Sequence, residues 1–319
     1  MAEPFRIVII GGGHGQSTIC RGVKNIPDAA ISAIVTVADD GGSTGRLRRQ
    51  FHIPAMGDIR NVMIALAESE TMLGSLMDYR FEDPSGTEKD VSGHNLGNLI
   101  LTALTQQCGS FLEAVQIIGK VLRVKGEIIP ATTQVITLYA RMDDGVIVKG
   151  EANIPTVSNH IREVFYQQDV KAAPQAVKAI LDADLIIYGI GSVYTSILPN
   201  VIIPEIREAL QATSAQRVYF CNAMTQPGET DGYSVEDHVQ ALLDHGAKVD
   251  AVVAADDRIP ASILARYEEM GSRHVTVRKK EHSYRVIPAK LLSFDRKLVR
   301  HDPVKIQAEV EALMKEMRG

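Results

Sequence analysis

The chain has 319 residues, 45% of them hydrophobic and 23% charged, enough apolar material for a large core that needs no disulfide staples. Its 34 basic and 39 acidic side chains give a formal charge of −5, and the basic residues are scattered among acids, which excludes the electrostatic footprint of a nucleic-acid binder. Cys20, Cys108 and Cys221 are odd in number and far apart, so neither a disulfide framework nor a zinc site is expected.

In chain order, short apolar runs alternate with longer amphipathic stretches, the pattern of parallel strands joined by crossover helices. Arg6–Ile10 reads as a first buried strand and Ile31–Ala38 as a second. The spacing then predicts helices over Ile59–Glu68, Leu96–Gln107 and Phe111–Leu122, with Asp58 as an N-cap. Gly126–Gly150 breaks the pattern. Val135–Met142 and Val146–Val148 flank Asp143-Asp144-Gly145, a hairpin signal, and the stretch reads as an inserted antiparallel ribbon. Alternation resumes with helices over Pro174–Asp182, Pro204–Ala212 and Val235–His245, and strands over Leu185–Ile190, Arg217–Asn222 and Val249–Ala254. Val275–Arg278 and Tyr284–Ile287 are further strand candidates before a final helix that starts at Pro303 behind Asp302. No repeat or linker interrupts the chain. The expectation is an α/β protein: a Rossmann-like three-layer α/β/α fold with a mainly parallel sheet, one domain over 1–319 and a β-hairpin insertion at about 126–150. The N-terminus enters Ile7-Val8-Ile9-Ile10 without a signal segment and no run reaches a membrane-spanning length, so a cytoplasmic protein is expected.

In an open parallel sheet, ligands bind beyond the carboxyl ends of the strands. The first strand leads into Gly11-Gly12-Gly13-His14-Gly15, and the second into Asp39-Asp40-Gly41-Gly42-Ser43-Thr44-Gly45-Arg46. Later strands lead into Gly189-Ile190-Gly191-Ser192-Val193-Tyr194-Thr195 and Asn222-Ala223-Met224-Thr225. Glycine lets the backbone approach a ligand and aim its N–H groups at it, and a following helix N-terminus favours an anion, which suits a phosphate or diphosphate. Two familiar spellings fail. Gln16 occupies the third glycine place of the dinucleotide fingerprint, and no Gly-Lys-Ser/Thr of a P-loop is present.

Asp39 and Asp40 point to opposite faces of a strand, so one reaches the crevice for a ribose or Mg²⁺ while the other caps the glycine turn, or both satisfy loop N–H groups. Arg46 is the phosphate-clamp candidate among the nearby arginines, with Arg48 and Arg49 read as a solvated face. Asp58 caps its helix or shares a metal with the acidic pair. His94, Asn95 and Asn98 contact a base or sugar, or cap their loop. There is no H-x-x-x-H, no G-x-S-x-G elbow and no coherent Ser-His-Asp spacing.

Eight ordered motifs carry a resemblance that is close to full length. They are Gly11–Gly15, Val37–Arg48, Gly57–Asn61, Gly93–Asn98, Pro130–Thr132, Gly191–Asn200, Met224–Tyr233 and Arg300–Pro303. Together they resemble the bacterial gluconeogenesis factor family, which is similar in fold to 2-phospho-L-lactate transferase. The resemblance implies binding of UDP-sugars such as UDP-N-acetylglucosamine and a role in cell shape during growth on gluconeogenic carbon sources. By the same resemblance, Gly11, Gly13, Gly15, Gly191, Ser192 and Asn222 are nucleotide-binding positions, joined as candidates by Gly12, His14, Asp39, Gly41, Gly42, Ser43, Thr195 and Thr225. Asp40 and Asp58 are the metal candidates, for Mg²⁺, and Arg300 a diphosphate or sugar contact. A protein partner in envelope or carbon metabolism is implied, and self-association is left open. A Mg²⁺-dependent transferase is the alternative to a regulator that binds without turnover.

Overall fold

Residues that are apolar at every position of a short run cannot sit on a half-exposed sheet, and here such runs make the centre of a parallel one. The computed structural model describes residues 3–68, 72–82, 90–279, 281–295 and 298–318. Its first half runs β1 (Phe5–Gly11), α1 (Gly13–Val23), β2 (Ala29–Val35), α2 (Gly42–Phe51), α3 (Gly57–Leu66), α4 (Met72–Asp78), α5 (Leu96–Cys108), α6 (Phe111–Val121), β3 (Glu127–Pro130), β4 (Tyr139–Met142), β5 (Ile147–Lys149) and β6 (Ile161–Phe165). The second half runs α7 (Pro174–Asp182), β7 (Leu185–Tyr188), α8 (Leu198–Val201), α9 (Pro204–Ala212), β8 (Gln216–Phe220), α10 (Val235–Asp244), β9 (Ala251–Ala255), α11 (Ala261–Glu269), β10 (Arg285–Ala289), β11 (Leu292–Ser293), β12 (Arg300–His301) and α12 (Pro303–Arg318).

Seven strands form the main sheet in the order β10-β9-β8-β7-β1-β2-β3, each pair parallel. The chain builds outward from β1 through β2 to β3, then returns to the other side of β1 and builds through β7, β8, β9 and β10. Right-handed crossovers put helices on opposite faces when the direction of building reverses, which gives the α/β/α layering. The reversal also opens a crevice between the carboxyl ends of β1 and β7. Ile7, Ile9, Ile10, Ile186, Ile187, Tyr188, Val218, Tyr219 and Phe220 are buried at the centre.

Four expectations need correction. The ribbon has three strands, not two, in the order β5-β4-β6. Glu127–Pro130, within the expected insertion, is instead the edge strand of the main sheet, paired with β2 from Ser32 to Val35. The second strand stops at Val35, because the Thr36 hydroxyl accepts the Ala38 N–H at 3.2 Å and turns the chain. Val275–Arg278 forms no strand; it hangs from β8's exit loop through the His274–Met224 bridge and the Val275 N–H on the Ala223 carbonyl. Among the described residues no helix is long and apolar enough to cross a membrane.

Candidate functional site

The two glycine turns meet at the reversal point. The Gly189 N–H donates to the Ile10 carbonyl at 2.8 Å, which carries the β1–β7 ladder into the loops. A side chain at Gly15 would overlap the Ile190 carbonyl and crowd the Gly191 nitrogen, so the start of α1 lies directly on the second turn. Gly191 has φ +139, a region that side-chain-bearing residues avoid. Asn222, at the end of β8, accepts from the Gly191 N–H at 3.1 Å and donates to its carbonyl at 2.8 Å, fixing that conformation. Gly11, Gly12, Gly13, Gly15, Gly191, Ser192 and Asn222 are therefore brought together, with His14 exposed on the first turn of α1.

Gln16 explains the failed fingerprint. Its buried side chain turns back under the strand ends and donates to the Ile9 and Ile34 carbonyls at 2.9 and 2.8 Å. A glycine would leave both carbonyls for another donor.

Helices α1 and α2 begin at Gly12 and Gly41 without a side-chain cap and without an acid in the first turn; α3, α7, α9 and α11 lack a side-chain cap as well, whereas α5, α6 and α10 are capped by Asn95, Ser110 and Ser234. N–H groups at a helix start favour an anion, and at α1 the Asp58 carboxyl already accepts one, from Gly13. Acids lie at both starts. Asp39 accepts the Gly41 N–H at 2.9 Å and bonds Thr44, yet burial raises its carboxyl above the usual range. Asp58 does not cap α3, whose N-cap is Met56; it faces the first turn, where a Cβ on Gly12 would lie 2.5 Å from its Oδ2. Burial first, and repulsion from Asp39 second, push the Asp58 carboxyl up to about 7, against a bond from the Gly13 N–H. Asp40 is turned away toward the ribbon, accepting the Ala152 N–H at 3.0 Å. The acidic neighbour of Asp58 is thus Asp39 rather than Asp40, and among the described residues no three acid, histidine or cysteine side chains form a ready metal cluster.

Other candidates have supporting work. The Ser43 hydroxyl sits 2.9 Å from His94 Nδ1 and accepts from the Asn95 N–H and Asn98 Nδ2, each at 3.3 Å. Asn98 also accepts from Arg60 at 2.9 Å, and Asn95 accepts the Gly97 N–H at 3.0 Å. His94, Asn95 and Asn98 are all buried and hold the start of α2 from below. Gly42, next to them, is exposed at the first turn of α2. Arg46 donates to the Ser92 carbonyl at 2.7 Å, on the loop before α5. Arg48 is not on a solvated face: it is buried, bonding the carbonyls of Asp39 and Ile136 and the Thr137 hydroxyl, and so ties β2's exit to the ribbon. Thr225 pairs with Arg273, its hydroxyl accepting the Arg273 N–H at 2.8 Å. Arg300 is exposed on the small β11–β12 ribbon, away from any bond to the glycine turns, while its neighbour His301 bonds the Cys221 backbone at the end of β8.

Two acids that motif reading passed over complete the site. Glu229 is buried, accepts from Ser192 Oγ and from Gln226 Nε2 at 2.6 Å, and bonds Thr195; burial raises it to about 7 despite those bonds. Ser192 in turn accepts the Thr195 N–H at 2.8 Å, starting the π-turn that follows β7. Glu151, in the connection between β5 and β6, is raised to about 8 by burial and then by Asp39, Asp58, Glu229 and Asp40. Glu229 had a legible signal, an acid between two glycines in a strand-exit loop. Glu151 had none, because only the ribbon's fold brings it to the edge.

Residues 7–292 match the family described as 2-phospho-L-lactate transferase CofD. The chain is 42% identical to the gluconeogenesis factor of Bacillus subtilis, over 99% of this chain and 100% of that one. It belongs to the gluconeogenesis factor family. The family's protein from Halalkalibacterium halodurans is 44% identical over 85% of this chain and 84% of its own. A crystal structure of a UPF0052 family protein from Bacillus halodurans superposes with a TM-score of 0.91 at 40% identity, covering 96% of this chain and 99% of that one. In open α/β sheets ligands bind where the strand order reverses, and here that point lies between β1 and β7.

Proposed function

We propose that this gluconeogenesis factor is a regulatory protein that binds a nucleotide-sugar of the UDP-N-acetylglucosamine type and serves cell shape during growth on gluconeogenic carbon sources. One observation carries the reading: two glycine turns, the first opening α1, lie against each other at the reversal point of a parallel sheet. A diphosphate needs backbone donors of this kind. The surrounding carboxylates require that it arrive with its charge partly neutralised, which fits a Mg²⁺ held by one or two protein carboxylates and completed by phosphate oxygens. Asp39 and Asp58 suit that role, since each is raised by burial and Asp39's charge raises Asp58 further; Asp40, bonded to Ala152, does not. Mg²⁺ bound there supplies charge neutralisation to the diphosphate.

The second reading is a transferase using a nucleotide-diphosphate-linked donor. It is favoured by the match to the 2-phospho-L-lactate transferase family over residues 7–292. Calorimetric titration with UDP-N-acetylglucosamine, GDP and NAD, with and without Mg²⁺, followed by analysis of the recovered nucleotide, separates the two. The regulator predicts Mg²⁺-assisted binding of the UDP-sugar and its recovery intact. A preference for GDP with a cleaved diphosphate supports the transferase, and the absence of binding to any nucleotide removes both.

A further inference from the structure

The segment Gly150 to Thr156, in the connection between β5 and β6 of the ribbon, is fixed to two loops of the main sheet. At one end the Ala152 N–H donates to Asp40 at 3.0 Å, and a Cβ on Gly150 would lie 2.6 Å from Asp40 Oδ2. At the other, the Pro155 carbonyl lies so close to Gly228 that a side chain there would overlap it, and Gly228 has φ +79. Asp40 follows β2 and Gly228 follows β8. The sheet order places β1 and β7 between those two strands, so a segment seated on both loops passes over the ends of β1 and β7, where the glycine turns lie. Ile154, fully buried, anchors it from within.

Glu151 is the acid this segment delivers. Asp39 and Asp58 act on its charge from the β2 side and Glu229 from the β8 side, which is the electrostatic sign of a group held over the middle of the crevice. Asp40 is the remaining charged neighbour. A carboxyl in that position presents an oxygen that accepts hydrogen bonds from hydroxyl groups.

We infer that Gly150–Thr156 is a strap over the crevice and that Glu151 is a specificity residue on it, accepting hydrogen bonds from the hydroxyl-bearing, non-nucleotide part of the ligand. The inference rests on the nucleotide-sugar reading and names the residue that distinguishes a nucleoside diphosphate-sugar from the bare nucleotide.

The test compares UDP with UDP-N-acetylglucosamine, in Mg²⁺, on the full chain and on Glu151→Ala and Glu151→Gln. Glu151→Ala should weaken the UDP-sugar by about tenfold, the scale of one hydrogen bond, and change UDP by less than about twofold. Glu151→Gln, which keeps an acceptor oxygen, should recover part of the loss. Hydrogen exchange supplies a readout that needs no variant: amides of residues 150–156 should be protected more by the UDP-sugar than by UDP. Equal losses for both ligands, no loss for either, or unchanged exchange over the strap overturns the inference while leaving the nucleotide reading intact. A wild-type chain that binds neither ligand removes that reading, and the role of Glu151 with it.

Discussion

Ionising Asp58 is costly because its carboxyl lies against the Gly12 backbone and within reach of the charge on Asp39. With Asp58 and Glu229 at about 7 and Glu151 at about 8, the folded chain keeps protons that an unfolded one releases near pH 4. These groups therefore contribute stability that is full below about pH 4 and is lost as pH rises through 7 to 8. The melting temperature of the ligand-free protein should fall between pH 6.5 and pH 8.5, above the range where the buried histidines act in the opposite sense, and Asp58→Asn should flatten the fall; a variant with the wild-type slope contradicts the assignment. Gly15→Ala tests the contact between the turns. Its methyl would overlap the Ile190 carbonyl, and a loss of several kcal/mol in denaturant unfolding is expected, against a gain of about 0.5–1 kcal/mol for the same change at Gly119 inside α6, where a methyl meets open space. At this scale the sequence was legible in the placement of the two glycine turns, which the fold brings against each other. It was not legible for Asp40 and Asp58, because spelling does not say which way a loop carboxylate turns.

At the scale of elements, strands buried on both faces were the most readable: β1, β7, β8 and β9 fall within a residue or two of the apolar runs, apart from the overlong expected ends of β7 and β8 and the early start assigned to β9. Short or half-exposed strands were not. β3 has four residues and β6 reads Ile-Arg-Glu-Val-Phe, neither long nor cleanly alternating, and both depend on tertiary partners. The segment after α11 shows how a tertiary anchor replaces regular structure. Glu236, buried at the start of α10, accepts from the backbone N–H groups of Arg278 and Lys279 and from His282 Nε2 at 2.9, 2.7 and 3.0 Å. Burial raises this carboxyl, but the bonds from His282 and the backbone outweigh it and hold it down at about 2. Its contribution is present above the ordinary glutamate range and is lost as pH falls toward 2. Glu236→Ala should cost about 3 kcal/mol, the scale for leaving several donors without their shared buried acceptor, and should speed amide exchange at Arg278 and Lys279. Unchanged exchange there would show that the segment is held by something else.

Across the whole molecule, function and topology have one origin. Reversing the direction of strand building at β1 creates the crevice, the strand-exit loops bring glycines and acids to its rim, and the inserted ribbon sends a strap back over it. The alternation of elements announced the sheet. It could not announce the strap, since residues 150–156 reach the site only through contacts with Asp40 and Gly228, each more than 70 positions away in sequence. The most direct test of the account is a crystal structure of the protein with UDP-N-acetylglucosamine and Mg²⁺. The account predicts the diphosphate in the crevice between β1 and β7, within hydrogen-bond reach of backbone N–H groups from the two glycine turns. A diphosphate seated anywhere else on the molecule contradicts it.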